Sequence, residues 1–471
     1  MFRCLKLLAA LTVVVAVAAT AGAMSFTLTR LTDNATEERT SQVERLLALD
    51  FLGRPHIVFT GSSPSGHEGV FHTWDQAGWQ MQTIAADTMP NRSPVVGCGR
   101  DGRTHVLHCH WTGEGATVEH VPVLADSLGA SEAAFEDGYF DSPSLAVGPD
   151  NVLHAVCSSY WGTAYARRDV GGWSPAETIA AGRTASIALD SLLECHVVYD
   201  GVDSTWTSQV WYVHGTAGNW SAPEWLAGGN RRSARNASLT VAPDGRVFVV
   251  YENDTGTDIG IELRVRAGGT WSPPEWVGQG LGPSVALDPA SEPYVAHWGA
   301  WGTDGVLLSF RQALPGWAQV TVDSVAHPWG EVMTRVGLAI DTEGRIHVAY
   351  CSRDERGGAD SELWYAQAHP STDVAGSQLP GGPRFVSISN PVQGSVRFRF
   401  ELAAPGSLRL EVYDVRGRLV HRVPLGAWGQ GMHEVLWNAR SGGHRRLAAG
   451  IYVLRLSTAA GNDTAKLVVE R

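Results

Sequence analysis

Apolar and polar residues alternate along most of this chain in short runs, separated by turns rich in Gly, Pro and Asp. The phrase SLAVGPDNVLHAV (144–156) is an apolar run, a turn and a second apolar run. It returns as SIALDSLLECHVV from 186, SLTVAPDGRVFVV from 238 and SVALDPASEPYVA from 284. Aligned on the residue that opens the second run, the anchors are His56, His105, His154, His196, Phe248, Tyr294 and His347, spaced 42 to 53 residues apart. A third run follows each anchor run, for instance GVFHTW, TAYARR, QVWYVHG or IELRVRA. Five repeats then close on a small-residue turn and a Trp: Trp79, Trp173, Trp220, Trp271 and Trp317. Runs of this length, with no sustained helical period, make the chain all-β. Four strands in a unit of 40–50 residues is the arrangement of propeller blades, each of which buries its faces only against its neighbours.

Seven repeats predict a seven-bladed β-propeller over 24–369. A six-bladed ring is the alternative, because the outer half of the second repeat (TVEHVPVLADSLGASEAAF) lacks the Trp. The seventh repeat stops after its third strand, ELWYAQAH, whereas SFTLTRL (25–31) stands where a fourth strand precedes a first. That segment is expected to complete the last blade and remove a free sheet edge.

Residues 1–23 read as a signal peptide: basic MFRCLK, a short apolar core and Ala21-Gly22-Ala23 at a cleavage site. No later stretch approaches the roughly 18 apolar residues a spanning helix needs, so no transmembrane span is expected in the mature chain. The formal net charge of −12 argues against nucleic acid as a partner. Five cysteines remain after cleavage (Cys98, Cys109, Cys157, Cys195, Cys351), an odd and scattered set that reads as buried free thiols. The His anchors share their position with Phe248 and Tyr294, so the site wants a flat, partly polar ring, and neither a metal site nor a cofactor is expected. No G-x-S-x-G, H-E-x-x-H or phosphate-loop motif appears.

After His369 the stretch PSTDVAGSQLPGGPR (370–384) is a linker. Residues 385–471 then read as a small sandwich of short strands. Asn390-Pro391, VRFRFEL, Tyr413-Asp414 with Gly417-Arg418, Gly431, Trp437, Gly450-Ile451-Tyr452 and Lys466 follow one another in an order that resembles two related families. These are the C-terminal sorting domain of type IX secretion cargo and the immunoglobulin-like domain of flagellar hook-capping proteins. One departure is Ala439, where the hook-capping pattern has Gly. The residues have physical readings as well: Asp414 to Gly417 as a hairpin turn, Trp437 and Tyr452 as core aromatics, and Gly450 where a side chain has no room. The resemblance implies export through the periplasm to the cell surface or the medium, with the type IX machinery as partner. The propeller repeats themselves resemble sialidase-like and lectin-like propellers, without the S-x-D-x-G-x-x-W box or an early F/Y-R-I-P motif.

Candidate ligand-binding residues fall on the loops around one channel mouth. Arg45, Arg92, Arg183, Arg235 and Arg335 stand 11 to 13 residues ahead of their anchors, where the chain enters the innermost strand. Such a collar offers bidentate donors to carboxylate or sulfate; the competing reading is that each Arg braces the ring against a carboxylate of the next blade. Trp161, Trp206 and Trp301, with Trp298, lie among Gly, Ser and Thr after second strands, where Trp can stack on sugar rings. Loop acids such as Glu114, Asp203, Glu252, Asp254, Asp304, Asp354, Glu355 and Asp360 could pair for glycoside cleavage, but sequence supplies no distance and no catalytic residue is assigned. The expectation is an exported, monomeric propeller that binds a glycan, neutral or anionic, or a surface protein. The alternatives are a glycan hydrolase or lyase, and a structural surface propeller.

Overall fold

A computed structural model describes residues 12–15, 24–32, most of 45–368 (the longest internal stretches outside it being 325–334 and 353–360) and most of 383–469. It divides into two compact units, Met1–Ser371 and Thr372–Arg471. Every described element is a strand, and no helix among the described residues is long and apolar enough to cross a membrane.

The described part of the first unit holds seven sheets of four or five strands, the blades of a propeller. In chain order they span 47–85, 91–135, 141–180, 183–228, 233–279, 281–323 and 337–368, numbered blades 1 to 7 here. Innermost strands of successive blades lie against one another, and that of blade 7 lies against that of blade 1, so the ring closes. Phe26–Arg30 pairs antiparallel with Glu362–Ala368 and supplies the fourth strand of blade 7. Thr12–Val15, inside the stretch read as a signal peptide, pairs in turn with Phe26–Arg30. Blade 2 builds its outer edge from Glu132–Phe135 paired with Ala116–Leu124; there Phe135, buried, packs against Trp173 of blade 3.

The repeated residues of the sequence now have physical jobs. Ser opens the phrases at 144, 186, 238 and 284, and all four are buried. Ser144 Oγ accepts from Ile187 N (3.3 Å) and Ser238 Oγ from Val285 N (3.1 Å), while Ser284 Oγ donates to Val336 O (2.5 Å). These bonds link neighbouring inner strands that share no ladder. The His anchor rings are buried against the third strand: His56 lies 3.0 Å from His72, His105 3.0 Å from His120, His154 2.9 Å from Tyr165 and His196 2.6 Å from Tyr212. Burial pulls His56, His105 and His154 down to about 4, so these imidazoles are neutral at ordinary pH.

The closing Trp residues pack between blades. Trp79 meets Tyr365, Trp220 meets Tyr165 and Trp271 meets Tyr212, edge to face at 4.8–5.0 Å. Their indoles donate backward around the ring: Trp220 Nε1 to Glu177 (3.0 Å), Trp271 Nε1 to Glu224 (2.7 Å) and Trp317 Nε1 to Glu275 (2.9 Å). After each of Trp173, Trp220 and Trp271 the outer strand breaks and resumes beyond a Pro, which cannot donate to a ladder. A Ser bridges the gap: Arg167 N, His214 N and Val265 N donate to Ser174, Ser221 and Ser272 Oγ at 3.0–3.1 Å.

The five described cysteines are all free, and four are buried. In the second unit, Pro383–Ile388, Val396–Leu402 and Gly431–Trp437 form one sheet, and four further strands form the other. Phe398, Phe400, Leu410, Leu454, Trp437 and Tyr452 belong to their common core. Gly450 differs from expectation: an added Cβ would meet nothing nearer than 3.9 Å, and φ of +157° rather than space selects glycine. Asn390, Pro391 and Gly417 lie outside the described residues. Asp414 pairs with Tyr452 and Lys466 with Val453 in the second sheet, and Tyr413 Oη donates to Glu411 at 3.0 Å.

Candidate functional site

At the end where the chain enters each inner strand, blades 2 to 6 carry the same irregularity. Register slips after Arg92, Asp141, Arg183, Arg235 and Leu281. The next residue turns left-handed: Ser93 (φ 52°), Ser142 (53°), Thr184 (50°), Asn236 (55°) and Gly282 (59°). A bulge of this kind re-aims side chains and frees an N–H from the ladder. In blades 4, 5 and 6 that N–H is taken by the preceding blade: Thr184 N by Ser158 Oγ (2.7 Å), Asn236 N by Asp200 Oδ2 (2.9 Å) and Gly282 N by Glu252 Oε1 (2.6 Å). Glu252, 1% exposed, also accepts from Arg235 Nε (3.1 Å) and Asn236 Nδ2 (2.9 Å). It is therefore a buried clasp and not the loop acid anticipated. Burial pushes the Asp200 carboxyl up to about 7, against the opposing pull of the Asn236 N–H and of Arg335.

The five arginines reach this end of the ring but divide by role. Arg45 extends into the channel, where its Nη2 donates to Ile187 O (2.7 Å) and Leu239 O (3.4 Å) of blades 4 and 5. Arg335, 2% exposed, donates from Nη1 to Pro283 O (3.1 Å) and Ala237 O (3.5 Å). Both donate to backbone carbonyls of inner strands, Arg45 across the channel and Arg335 on the two blades before its own. Arg92 pairs with Glu68 of the preceding blade at 3.2 Å, and Arg235 with Glu252 of its own. Neither pairs with the following blade, so bracing runs along other routes than the sequence implied. Arg183 is exposed and stands opposite Asp200 in register. Arg92, Arg183 and Arg235 are thus the members that present guanidinium to solvent.

Of the loop tryptophans, Trp206 is 86% exposed. It sits in DSTWT between Cys195–Val202 and Ser208–Thr216, with φ of +61°. Asp203 sets this turn: its Oδ1 accepts from Thr205 N (2.8 Å), Thr205 Oγ1 (2.6 Å) and Thr207 N (3.0 Å), and its O from Trp206 N (3.0 Å). Those bonds hold the Asp203 carboxyl below the ordinary range. Trp298 departs from expectation: it ends a strand at 1% exposure, edge-on to Tyr350. Trp161 and Trp301 lie outside the described residues, as do Glu114, Asp304, Asp354, Glu355 and Asp360. Asp254 caps its own turn, accepting from Gly256 N at 2.8 Å.

The channel itself is a cavity of about 750 Å³ lined largely by apolar inner-strand residues such as Leu47, Val96, Leu145, Val285 and Leu338. Turns at its other end are set by Asp50, Asp190, Asp288 and Asp341, each accepting backbone N–H groups two and four residues on. Sequence spacing singled out no metal ligands. The fold nevertheless brings Asp190, Glu194 and His196 together, with ligand atoms within 4.8 Å of one another.

Residues 387–462 match the FlgD Ig-like domain family. No curated protein matches the chain. Among solved structures, a protein of unknown function from Dyadobacter fermentans is similar at 11% identity and a TM-score of 0.45, over 73% of this chain and 99% of that one. PorZ, a surface component of the type-IX secretion system of Porphyromonas gingivalis, is similar at 15% identity and 0.45, over 95% and 63%. A PL25 ulvan lyase is similar at 12% identity and 0.48, over 71% and 94%.

Proposed function

We propose that this chain is an exported surface or secreted propeller that binds a carbohydrate at the bulged end of its ring, delivered there by its C-terminal domain acting as a type IX sorting signal. One observation carries the binding reading. Trp206 is held in a left-handed conformation on a turn fixed by Asp203, with its ring in solvent. A large apolar ring so placed contributes nothing to the core, and an aromatic platform beside polar groups is the means by which proteins stack on sugar rings. Arg183, at the same end of the same blade, adds a guanidinium suited to a uronate or sulfate. The sorting reading is supported by the order of Tyr413, Trp437, Gly450 and Tyr452 in a tail that folds as a two-sheet sandwich.

Titration of the mature chain with anionic and neutral oligosaccharides at low and high salt tests the site. Trp206→Ala should lose at least tenfold in affinity for any glycan that binds, and Arg183→Ala should lose affinity for anionic glycans alone, with a shallower salt dependence. Release of shortened products from a bound glycan would instead favour a hydrolase or lyase. Secretion of a chain lacking 385–471 as efficiently as the full chain would overturn the sorting role.

A further inference from the structure

We infer that the turn of blade 4 formed by Asp190, Glu194 and His196 is a binding site for one divalent transition-metal cation of zinc-like chemistry, at the end of the ring opposite the bulges. Three blades share the pattern Asp, a residue four on and His six on: Asp50-Arg54-His56, Asp190-Glu194-His196 and Asp341-Arg345-His347. In all three, His Nε2 stands 3.7 Å from the outer oxygen of the Asp carboxylate. The backbone turn is the same as well, with Asp Oδ1 accepting from the N–H groups two and four residues on.

What differs is the charge on the middle residue. In blade 1, Arg54 donates from Nε (2.7 Å) and Nη2 (2.6 Å) to Asp50 Oδ2. In blade 7, Arg345 Nε bonds Asp341 Oδ2 in the same way. Each turn therefore carries its own cation on the oxygen that faces the His. Blade 4 places Glu194 there, so two carboxylates converge beside the His where blades 1 and 7 supply a guanidinium; blade 6 also has a Glu at this position, Glu292, but with Tyr294 in place of the His.

The imidazole completes a donor set. His196 is 4% exposed, and its Nε2 has no hydrogen-bond partner while facing Asp190. Its Nδ1 lies 2.6 Å from Tyr212 Oη, which orients the ring and, with the proton on Nδ1, leaves the Nε2 lone pair directed at the carboxylates. Glu194 is itself steadied from outside by His214 Nδ1 at 2.7 Å.

One imidazole and two carboxylates suit zinc and its neighbours. Calcium, which takes six to eight oxygens, and magnesium, which keeps most of its water, fit this set poorly. Bonds of about 2.0–2.2 Å require ligand atoms to lie within roughly 4 Å of one another. The ligand atoms lie within 4.8 Å of one another, so closing to that distance takes a shift of up to about 0.8 Å, which the partly exposed Glu194 side chain can supply.

The repeat also supplies the test variant. Glu194→Arg rebuilds in blade 4 the turn found in blades 1 and 7, so it should fold and hold its own cation. Untagged mature chain, stripped with chelator, is titrated with ZnCl2 by calorimetry, and its thermal midpoint is followed with and without the ion. The wild type should bind one Zn2+ per chain with micromolar or tighter affinity and gain several degrees. Glu194→Arg should lose at least a hundredfold in affinity, gain nothing from zinc and melt no lower than the stripped wild type. Glu194→Gln, which keeps the shape and removes one charge, should fall between. Co2+ in place of zinc should give visible absorption in the wild type alone. Absence of zinc binding by the wild type, or equal binding by Glu194→Arg and Glu194→Gln, would overturn the site.

Discussion

The outer rim of the propeller and its bulged mouth are built from the same repeat, yet they use it in opposite ways. At the rim, equivalent positions do equivalent work. Trp220, Trp271 and Trp317 each donate to a Glu of the preceding blade, and Trp79, Trp220 and Trp271 each lie edge-on to a Tyr of it. At the mouth, equivalent positions diverge. The bulge N–H is taken by Ser158, Asp200 or Glu252, and the arginines ahead of it cross the channel, pair locally or face solvent. Regularity in this chain marks what closes the ring, and departures from it mark the positions at which the proposed ligand sites lie. Blade 4 departs at both ends, with Trp206 and Arg183 at one and Glu194 at the other.

The largest effects should come from breaking the rim where the first and last strands of the propeller meet. Glu362, almost fully buried, accepts from Arg30 Nη2 (2.5 Å) and Thr32 Oγ1 (2.6 Å), and Thr32 Oγ1 accepts in turn from Leu363 N (2.9 Å). Glu362→Ala takes the carboxylate from a partly buried guanidinium, and removing one partner of a buried pair costs on the order of 3–5 kcal/mol. Deleting 24–32 should cost more, since blade 7 also loses the strand paired to Glu362–Ala368. Chemical denaturation read by tryptophan fluorescence checks both. A midpoint for the deletion equal to that of the intact chain would refute the clasp.

A rim junction away from the seam should give a smaller loss. Glu224→Ala removes the acceptor of both Trp271 Nε1 (2.7 Å) and Arg266 Nη2 (3.1 Å) at a partly exposed site. The expected cost is about 1–2 kcal/mol, the range for a charged acceptor whose donors still reach some water. Trp271→Phe, which keeps the ring against Tyr212, should cost about half as much.

Acid and base then separate the two regions. His56, His105 and His154, held near 4 in the folded chain, are protonated near 6.5 once unfolded. Their depressed values mean that stability is present above about 6.5 and is lost as pH falls toward 4. Asp200 at the mouth has the opposite sign. Its carboxyl, raised to about 7 from 3.8, favours the folded state at low pH and withdraws that support as pH climbs from 4 to 7. Asp200→Asn, which can still accept from Asn236 N, should therefore make stability rise more steeply with pH over that interval, by about one proton's worth. Equal slopes for the two proteins would show that Asp200 titrates normally.

How much of this was legible follows from which rule each feature obeys. The strands, the anchor rings and the closing Trp residues recur with the period of the fold, so the sequence displays them directly. SFTLTRL was legible because the last repeat lacked a strand. The bulges were not, because Ser93, Ser142, Thr184 and Asn236 carry none of the glycine signal by which left-handed residues are found. Glu362 was invisible because its partners stand some 330 residues away. Trp298 resembled Trp206 in its neighbours, and only the strand's length decides that one ends buried and the other in a turn. Asp190, Glu194 and His196 were near one another in sequence, but a metal reading needed the inward aim of His196 Nε2, which comes from Tyr212.

The smallest effect, and the sharpest test of the contrast, is expected at Trp206. A closing Trp such as Trp271 is partly buried against Tyr212 and bonded to Glu224, and its truncation to Ala should cost about 3 kcal/mol or more. Trp206 buries almost nothing, and its φ of +61° is costly for a bulky side chain. Trp206→Gly relieves that strain, of order 1 kcal/mol, while adding unfolded-state freedom worth roughly 0.5–1 kcal/mol. The two nearly cancel, so stability should stay within about 0.5 kcal/mol of the wild type while glycan binding falls. A loss of 2 kcal/mol or more on Trp206→Gly would mean that the ring packs against the mouth after all, and the distinction between a structural rim and a readable mouth would fail at the residue on which it most depends.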